Sequence, residues 1–212
     1  MPPVDRSPIR FGELLARPGV IETLRLDGSF GILAFHGGNL ERTTDLIASE
    51  VATRTGASLY TVAQTPPMCH HIPSIKVNPA ESTKLAAIID HCQHVIALHG
   101  YGHWEHTTSL LCGGQNRLLR QHVAQHLREA LPAYRTIDNT DEIPRRLRGL
   151  HDQNPCNLTT GGGVQLEMPP RVRGLTPLAR YWPGHNHLIN RFPHLEALTV
   201  GIAAAVDSWG NA

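Results

Sequence analysis

Charge of either sign is in short surplus in this 212-residue chain: 19 lysines and arginines stand against 18 aspartates and glutamates. That balance argues against a general nucleic-acid binder and against a protein that docks on a membrane surface. Cysteine is scarce and scattered. Cys69, Cys92, Cys112 and Cys156 form no CxxC pair, which excludes a thiolate zinc module or a redox dithiol, and a chain of this size needs no disulfide framework. Reduced thiols are the expectation. No apolar run approaches the roughly 20 residues that span a bilayer, and the start, Met1-Pro-Pro-Val-Asp-Arg6, lacks the apolar stretch of a secretory leader. A cytoplasmic protein is expected, with release from the cell by another route left open. Internal repeats and low-complexity segments are absent as well. The length suits one domain with a sizeable core, over 1–212, with 1–10 an irregular proline-bearing arm and the core at about 20–209.

Histidine is what the chain has in abundance, and with 14 of them any single one points only weakly to a metal. Position is more informative. Gly31 to Phe35 reads as a buried strand, and Leu40, Thr44, Ile47, Ala48, Val51 and Ala52 follow at helical spacing. His36 and Glu41 therefore flank a tight strand-to-helix turn through Gly37 and Gly38, with Glu41 in the first helical turn. Ser58 to Ala63 has the character of a second strand. Residues 64–78 form a proline-rich loop of the length that tends to carry function. Helical spacing resumes from about Ala80 to Cys92, and His94 to Gly100 is another apolar strand that ends in His-Gly. Arg117 to Leu131 is the clearest helix, with His122 and His126 read as surface or packing residues. Residues 140–150 read as a solvated helix or turn. A glycine-rich loop, Asn154 to Gly163, feeds the strand Val164 to Met168, which Pro169-Pro170 cuts off. After an irregular stretch from Pro177 to Pro193, a helix from about His194 to Trp209 closes the chain. Strands alternating with helices make this an α/β domain, with a mixed, mostly parallel sheet flanked by helices.

Active sites of open α/β sheets gather at the carboxyl ends of strands, and His36, His99 and Glu167 all sit at such ends. With Glu41 they give a His₂-carboxylate set suited to Zn²⁺ and a further carboxylate suited to act as a base. His103 and His106 compete with His99 as third ligand, but neither ends an apolar strand, and His103 could instead face substrate. His70, His185 and His187 lie in proline-rich loops and read as surface groups. Glu167 is either a base or a sheet-surface acid. Arg171 and Arg173 offer a forked cation for a carboxylate or an oxyanion, and only one need do so. Gln115 and Asn116 could bond substrate amides or cap the helix that follows.

Phe35-His-Gly-Gly-Asn-Leu-Glu-Arg-Thr-Thr44, Val95-Ile-Ala-Leu-His-Gly100, Gly113-Gly-Gln-Asn116 and Gly162-Gly-Val-Gln-Leu-Glu-Met-Pro-Pro-Arg-Val-Arg173 together resemble the phage-type poly-γ-glutamate hydrolases, over about residues 30–205. The resemblance implies a compact zinc-carboxypeptidase-like fold, one zinc per chain, and hydrolysis of γ-glutamyl amide bonds in a small or polymeric glutamyl or peptide substrate. It implies His36, Glu41 and His99 as zinc ligands and Glu167 as general base. His71-Ile-Pro-Ser74 matches a segment that lines the substrate cleft, which implies His71 and Ser74 as substrate-binding residues, alongside His103, Asn116, Asn154 and Asn157. Asn154-Pro-Cys-Asn157 matches its segment only in part, because Leu158 stands where an arginine is usual. That departure keeps a second reading in view, the same machinery on another acylated or γ-linked amino acid or a peptidoglycan stem peptide. A non-catalytic module that holds glutamyl polymer is a third.

Overall fold

The computed structural model describes residues 4–175 and 193–210. Seven strands form one mixed sheet: β1 (Val20–Arg25), β2 (Gly28–Gly38), β3 (Ala57–Gln64), β4 (His94–Gly100), β5 (Ser109–Gly113), β6 (Arg135–Ile137) and β7 (Gly163–Met168), in the order β1-β3-β2-β4-β7-β5-β6. The central run β3-β2-β4-β7 is parallel, β1 and β5 pair antiparallel with their neighbours β3 and β7, and β6 lies parallel to β5. The expected mixed, mostly parallel α/β architecture is thus what the chain adopts.

Alternation along the strands explains why both faces are covered. Ile32, Ala34, Ile96, Leu98, Val164 and Leu166 face one core, filled from α2 (Thr44–Thr55), α4 (Arg117–Ala130) and α5 (Pro193–Ser208). Leu33, Phe35, Val95 and Ala97 point the other way, onto α1 (Phe11–Leu15) and α3 (Thr83–His91) through Phe11, Leu14, Leu85 and Ile88. A strand buried on both faces carries an unbroken apolar run, as β4 does in Val95 to Leu98. Helix starts are fixed by local chemistry: the Ser82 hydroxyl accepts from the Leu85 N–H and the Asn116 side chain from the Leu119 N–H. Among the described residues no helix is long and apolar enough to cross a membrane.

Five elements depart from the sequence reading. The short strands β1, β5 and β6 lie in stretches that the hydrophobic pattern left unassigned. α2 starts at Thr44, later than the spacing from Leu40 suggests, because Thr43 takes a left-handed conformation at φ 74 and delays the helix; Glu41 therefore lies in the turn before it. α3 starts at Thr83, after a separate 3₁₀ turn over Pro79–Glu81. The irregular stretch expected at 177–193, with His185 and His187, lies outside the described residues apart from Pro193 at the start of α5.

The turn after β2 sets the position of everything that follows. Its Gly38 has φ +66, and a Cβ there would stand 2.3 Å from the Gln64 carbonyl oxygen. Gly56, the C-cap of α2, has the same φ with nothing within 4 Å of the equivalent point. Gly56→Ala should therefore cost only the left-handed penalty of roughly 1–2 kcal/mol, whereas Gly38→Ala should cost more, because backbone must move. Denaturant midpoints of the two variants check this; an equal loss in both would mean that the turn yields freely.

Candidate metal centre

β2, β4 and β7 are neighbours and parallel, so their carboxyl ends fall side by side. β4 and β7 stay in register to the end, which sets His99 opposite Glu167. β2 pairs with β4 only as far as Leu33 opposite Ala97 and carries a register shift against β3 between Ala34 and Gly37. The two strands thus part beyond that point, and into the opening come His36, His99 and Glu41.

These three residues offer ligand atoms that all lie within 4.8 Å of one another. His36 Nδ1 is 2.9 Å from Glu41 Oε1, and His99 Nδ1 is 3.4 Å from Glu41 Oε2. The turn holds Glu41 in place: its N–H donates to the His36 carbonyl at 2.7 Å, and the Gly100 N–H donates to Oε2 at 2.8 Å. The other nitrogen of His36, Nε2, is 2.8 Å from the Ile72 carbonyl oxygen. A carbonyl can only accept, so Nε2 carries a proton, and Nδ1 is the nitrogen turned to the carboxylate. A lone pair and an anion at 2.9 Å repel unless a proton or a cation lies between them. Two imidazoles and a carboxylate so arranged are a donor set that fits Zn²⁺.

The electrostatics agree in sign. Burial works against ionised Glu41, but the charges and hydrogen bonds of His36 and His99 outweigh it and hold the carboxyl well below the usual range. For His99, burial pulls down, yet Glu41 and then Glu167 hold the imidazolium above its ordinary value. Both shifts express a carboxylate that gathers positive charge around itself.

Glu167 is 4% exposed, and burial first, with the Glu41 charge adding to it, pushes its carboxyl up to about 7. Its Oε1 accepts from Gln165 Nε2 at 2.8 Å. Gln165 Oε1 accepts in turn from Asn154 Nδ2 at 2.7 Å, and Asn154 Oδ1 accepts from the Cys156 N–H at 3.2 Å. That chain fixes the orientation of both amides and ends on the carboxylate.

Arg173 and Arg171, alike in sequence, are placed differently. Arg171 is exposed. Arg173 is 5% exposed, donates from Nε to the Met168 carbonyl and from Nη1 to the Arg42 carbonyl, and lies where a Cβ on Gly100 would be, 2.5 Å from its Cζ. Its own carbonyl accepts from the Thr43 hydroxyl at 3.0 Å, so the left-handed turn and the arginine are tied together. Burial pulls this guanidinium down to about 10, against the pull of Glu41 and Glu167.

His71 lies beside the cluster, its ring centroid 4.9 Å from that of His36. Burial, with His36 and Arg6 adding to it against the pull of Glu41, lowers its pKa to about 4, so it stays neutral. Ser74 opens a 3₁₀ turn on the same loop. His103 and His106 do not join the first cluster; with Glu105 they form a second group of ligand atoms within 4.8 Å of one another. Asn116 and Asn157 are not brought to the cluster. Asn116 caps α4, donates to the Gly161 carbonyl and sits at the start of β7, the end away from Glu167. Asn157 is bonded to the carbonyls of Gly149 and His151 and to the Gln115 N–H. Asn154 reaches Glu167 only through Gln165. The alternation along β7 puts Gln165 on the same face as Glu167, and the sequence reading gave it no role.

The fold has solved counterparts. A bacteriophage poly-gamma-glutamate hydrolase superposes with a TM-score of 0.65 at 19% identity, covering 88% of this chain and 89% of that one. The zinc-free apo form of YNDL gives 0.70 at 19% identity, over 94% and 97%. A metallo-carboxypeptidase from Burkholderia cenocepacia gives 0.50 at 11% identity, over 94% of this chain and 69% of that one. No curated protein matches the chain. At these identities the superpositions speak for the fold. The profile of the poly-gamma-glutamate hydrolase family matches residues 16–176, a span that holds β1 to β7 with the whole cluster, and the chain belongs to that family.

Proposed function

We propose that this protein is a zinc-dependent hydrolase of amide bonds acting on γ-glutamyl linkages, with His36, Glu41 and His99 as the ligands of one zinc ion. The observation that carries the reading is the convergence of ligand atoms from His36, Glu41 and His99, all within 4.8 Å of one another at the strand ends, a donor set suited to a divalent cation. Bound there, zinc would supply Lewis acidity and would lower the pKa of a bound water toward roughly 7.

Around that centre each residue has a distinct task. Glu167 takes the proton from the attacking water and delivers it to the leaving amine, and a carboxyl held near 7 is well matched to both halves of that work. Gln165 donates to Oε1 and leaves the other oxygen to carry the proton. Arg173, buried against Gly100, places a forked cation where negative charge develops on the former carbonyl oxygen. His71, neutral beside His36, offers a hydrogen bond to substrate without adding charge. A second reading, in which another acylated or γ-linked amino acid is the substrate, finds support in Leu158, whose exposed apolar side chain lines the same cleft as His71. Relative rates on γ-linked and α-linked glutamyl oligomers and on N-acyl amino acids separate the two.

Exhaustive chelation should abolish turnover, and zinc should restore it at one equivalent per chain. Glu167→Gln should keep the bound zinc and lose on the order of 10²–10⁴ in kcat; full activity of the chelated protein would sink the proposal. Gln165→Met removes a donor that favours the ionised carboxylate, so the acidic limb of the kcat/KM profile should move to higher pH, by on the order of one unit, with zinc content unchanged. An unmoved limb would mean that Gln165 serves packing alone.

A further inference from the structure

Next to the cluster lies a cleft of about 840 Å³ whose walls come from three places: the segment before β1, the loop between β3 and α3, and Gln153 and Leu158 of the loop before β7. His71 and Ile72 are shared between cleft and cluster: the ring of the first lies tilted against that of His36, and the second supplies its carbonyl partner. The far wall is cationic. Arg6, Arg10 and Lys76 line it, and all three are exposed.

The acids in the same wall are already engaged. Glu13 pairs with Arg10, accepting from Nε at 3.2 Å and from the Arg10 N–H, and Glu81 accepts from the Gly12 N–H at 2.8 Å. Among the described residues, neither Arg6 nor Lys76 has an acidic partner within 4.0 Å. The arm that carries Arg6 is held firmly. Asp5 pairs in parallel with His70, its N–H donates to the Cys69 carbonyl, its carbonyl accepts from the His71 N–H, and its carboxylate lies 3.0 Å from His70 Nδ1. Between the cations the wall is apolar, with Ile9, Ile75 and Val77.

We infer that this cleft is a binding site for the part of a polycarboxylate chain beyond the bond to be cut, with Arg6 and Lys76 as the residues that engage its carboxylates. The inference rests on the γ-glutamyl reading for its substrate class, and it names a specificity element that lies partly outside the family match, since Arg6 and Arg10 precede residue 16. A γ-linked glutamyl chain alternates pendant carboxylates with methylene pairs, and a wall of spaced cations over aliphatic side chains complements both. Two exposed cations without counter-ions give up little hydration when they meet a carboxylate, and the gain is sensitive to salt.

The test is fluorescence anisotropy of a labelled γ-linked glutamyl decamer and of a γ-linked dimer on the full chain carrying Glu167→Gln, so that no probe is consumed. Adding Arg6→Ala and Lys76→Ala together should weaken decamer binding by roughly three- to ten-fold, leave the dimer unaffected, and flatten the salt dependence. Arg6→Lys should restore the loss due to Arg6, and Arg117→Ala, a charge removed on the exposed start of α4, should change nothing. Hydrolysis of the decamer by the wild-type chain is measured in parallel. Cleavage with equal decamer affinity in the double variant overturns the cleft and leaves the hydrolase reading standing. Weakened binding without any wild-type cleavage supports the cleft and overturns the hydrolase reading. No decamer binding by the unsubstituted cleft overturns the inference outright.

Discussion

Burying ionised groups together at the ends of three parallel strands is the constraint on which this structure turns. Glu41, Glu167, His36, His99 and Arg173 are drawn into a space with little water, where each lone charge would cost several kcal/mol. The molecule answers by making every charge answer to another. Glu41 is gripped by two imidazoles and a backbone N–H. Arg173 stands opposite both carboxylates and spends two of its donors on carbonyls of the flanking turns. Glu167, the one acid whose surroundings favour the proton, ends a relay of amides. The glycines of the region follow from this crowding: Gly100 leaves room for a guanidinium, and Gly38 lets the chain reverse against β3.

Much of the site was legible in the sequence because strand ends are legible. An apolar run that stops at His-Gly tells where a strand ends and which side chain it aims, and β2 and β4 both do so; the acid on β7 stood out because it interrupts an apolar strand. Glu41 was placed in the correct neighbourhood but on the wrong element, since nothing in Leu-Glu-Arg-Thr-Thr reveals that Thr43 turns left-handed. Arg171 and Arg173 could not be separated, because only the gap over Gly100, 73 positions away in the chain, decides between them. The strands β1, β5 and β6 were overlooked for ordinary reasons. β1 lies at an edge, half exposed with charged residues among its apolar ones, and β6 has three residues. The link from Asn154 through Gln165 to Glu167 depends on a loop folding back on a strand, which no local pattern reports.

Cluster and cleft are built from different material. His36, His99 and Glu167 stand on strands of a sheet packed on both faces, where the core fixes position, and Glu41 stands on the turn that leaves β2. The cleft is walled by loops and by the arm before β1, segments that tolerate change without disturbing the sheet. Chemistry and substrate choice are thereby separable within one small domain. A hydrolase arranged in this way keeps its reaction while its preference shifts.

The place of β7 carries one more consequence. It is the last strand in sequence among the described residues, yet it lies inside the sheet, between β4 and β5. During synthesis the four strands β1-β3-β2-β4 and the pair β5-β6 therefore emerge first as two separate pieces with open edges, and they have no direct pairing with each other. Only when residues 163–168 leave the ribosome does one sheet form, and that same segment delivers Glu167, with Arg173 close behind. The nascent chain holds its three candidate ligands long before it holds Glu167, so the sheet closes and the cluster gains its second carboxylate in one late event, with α5 still to pack on the core.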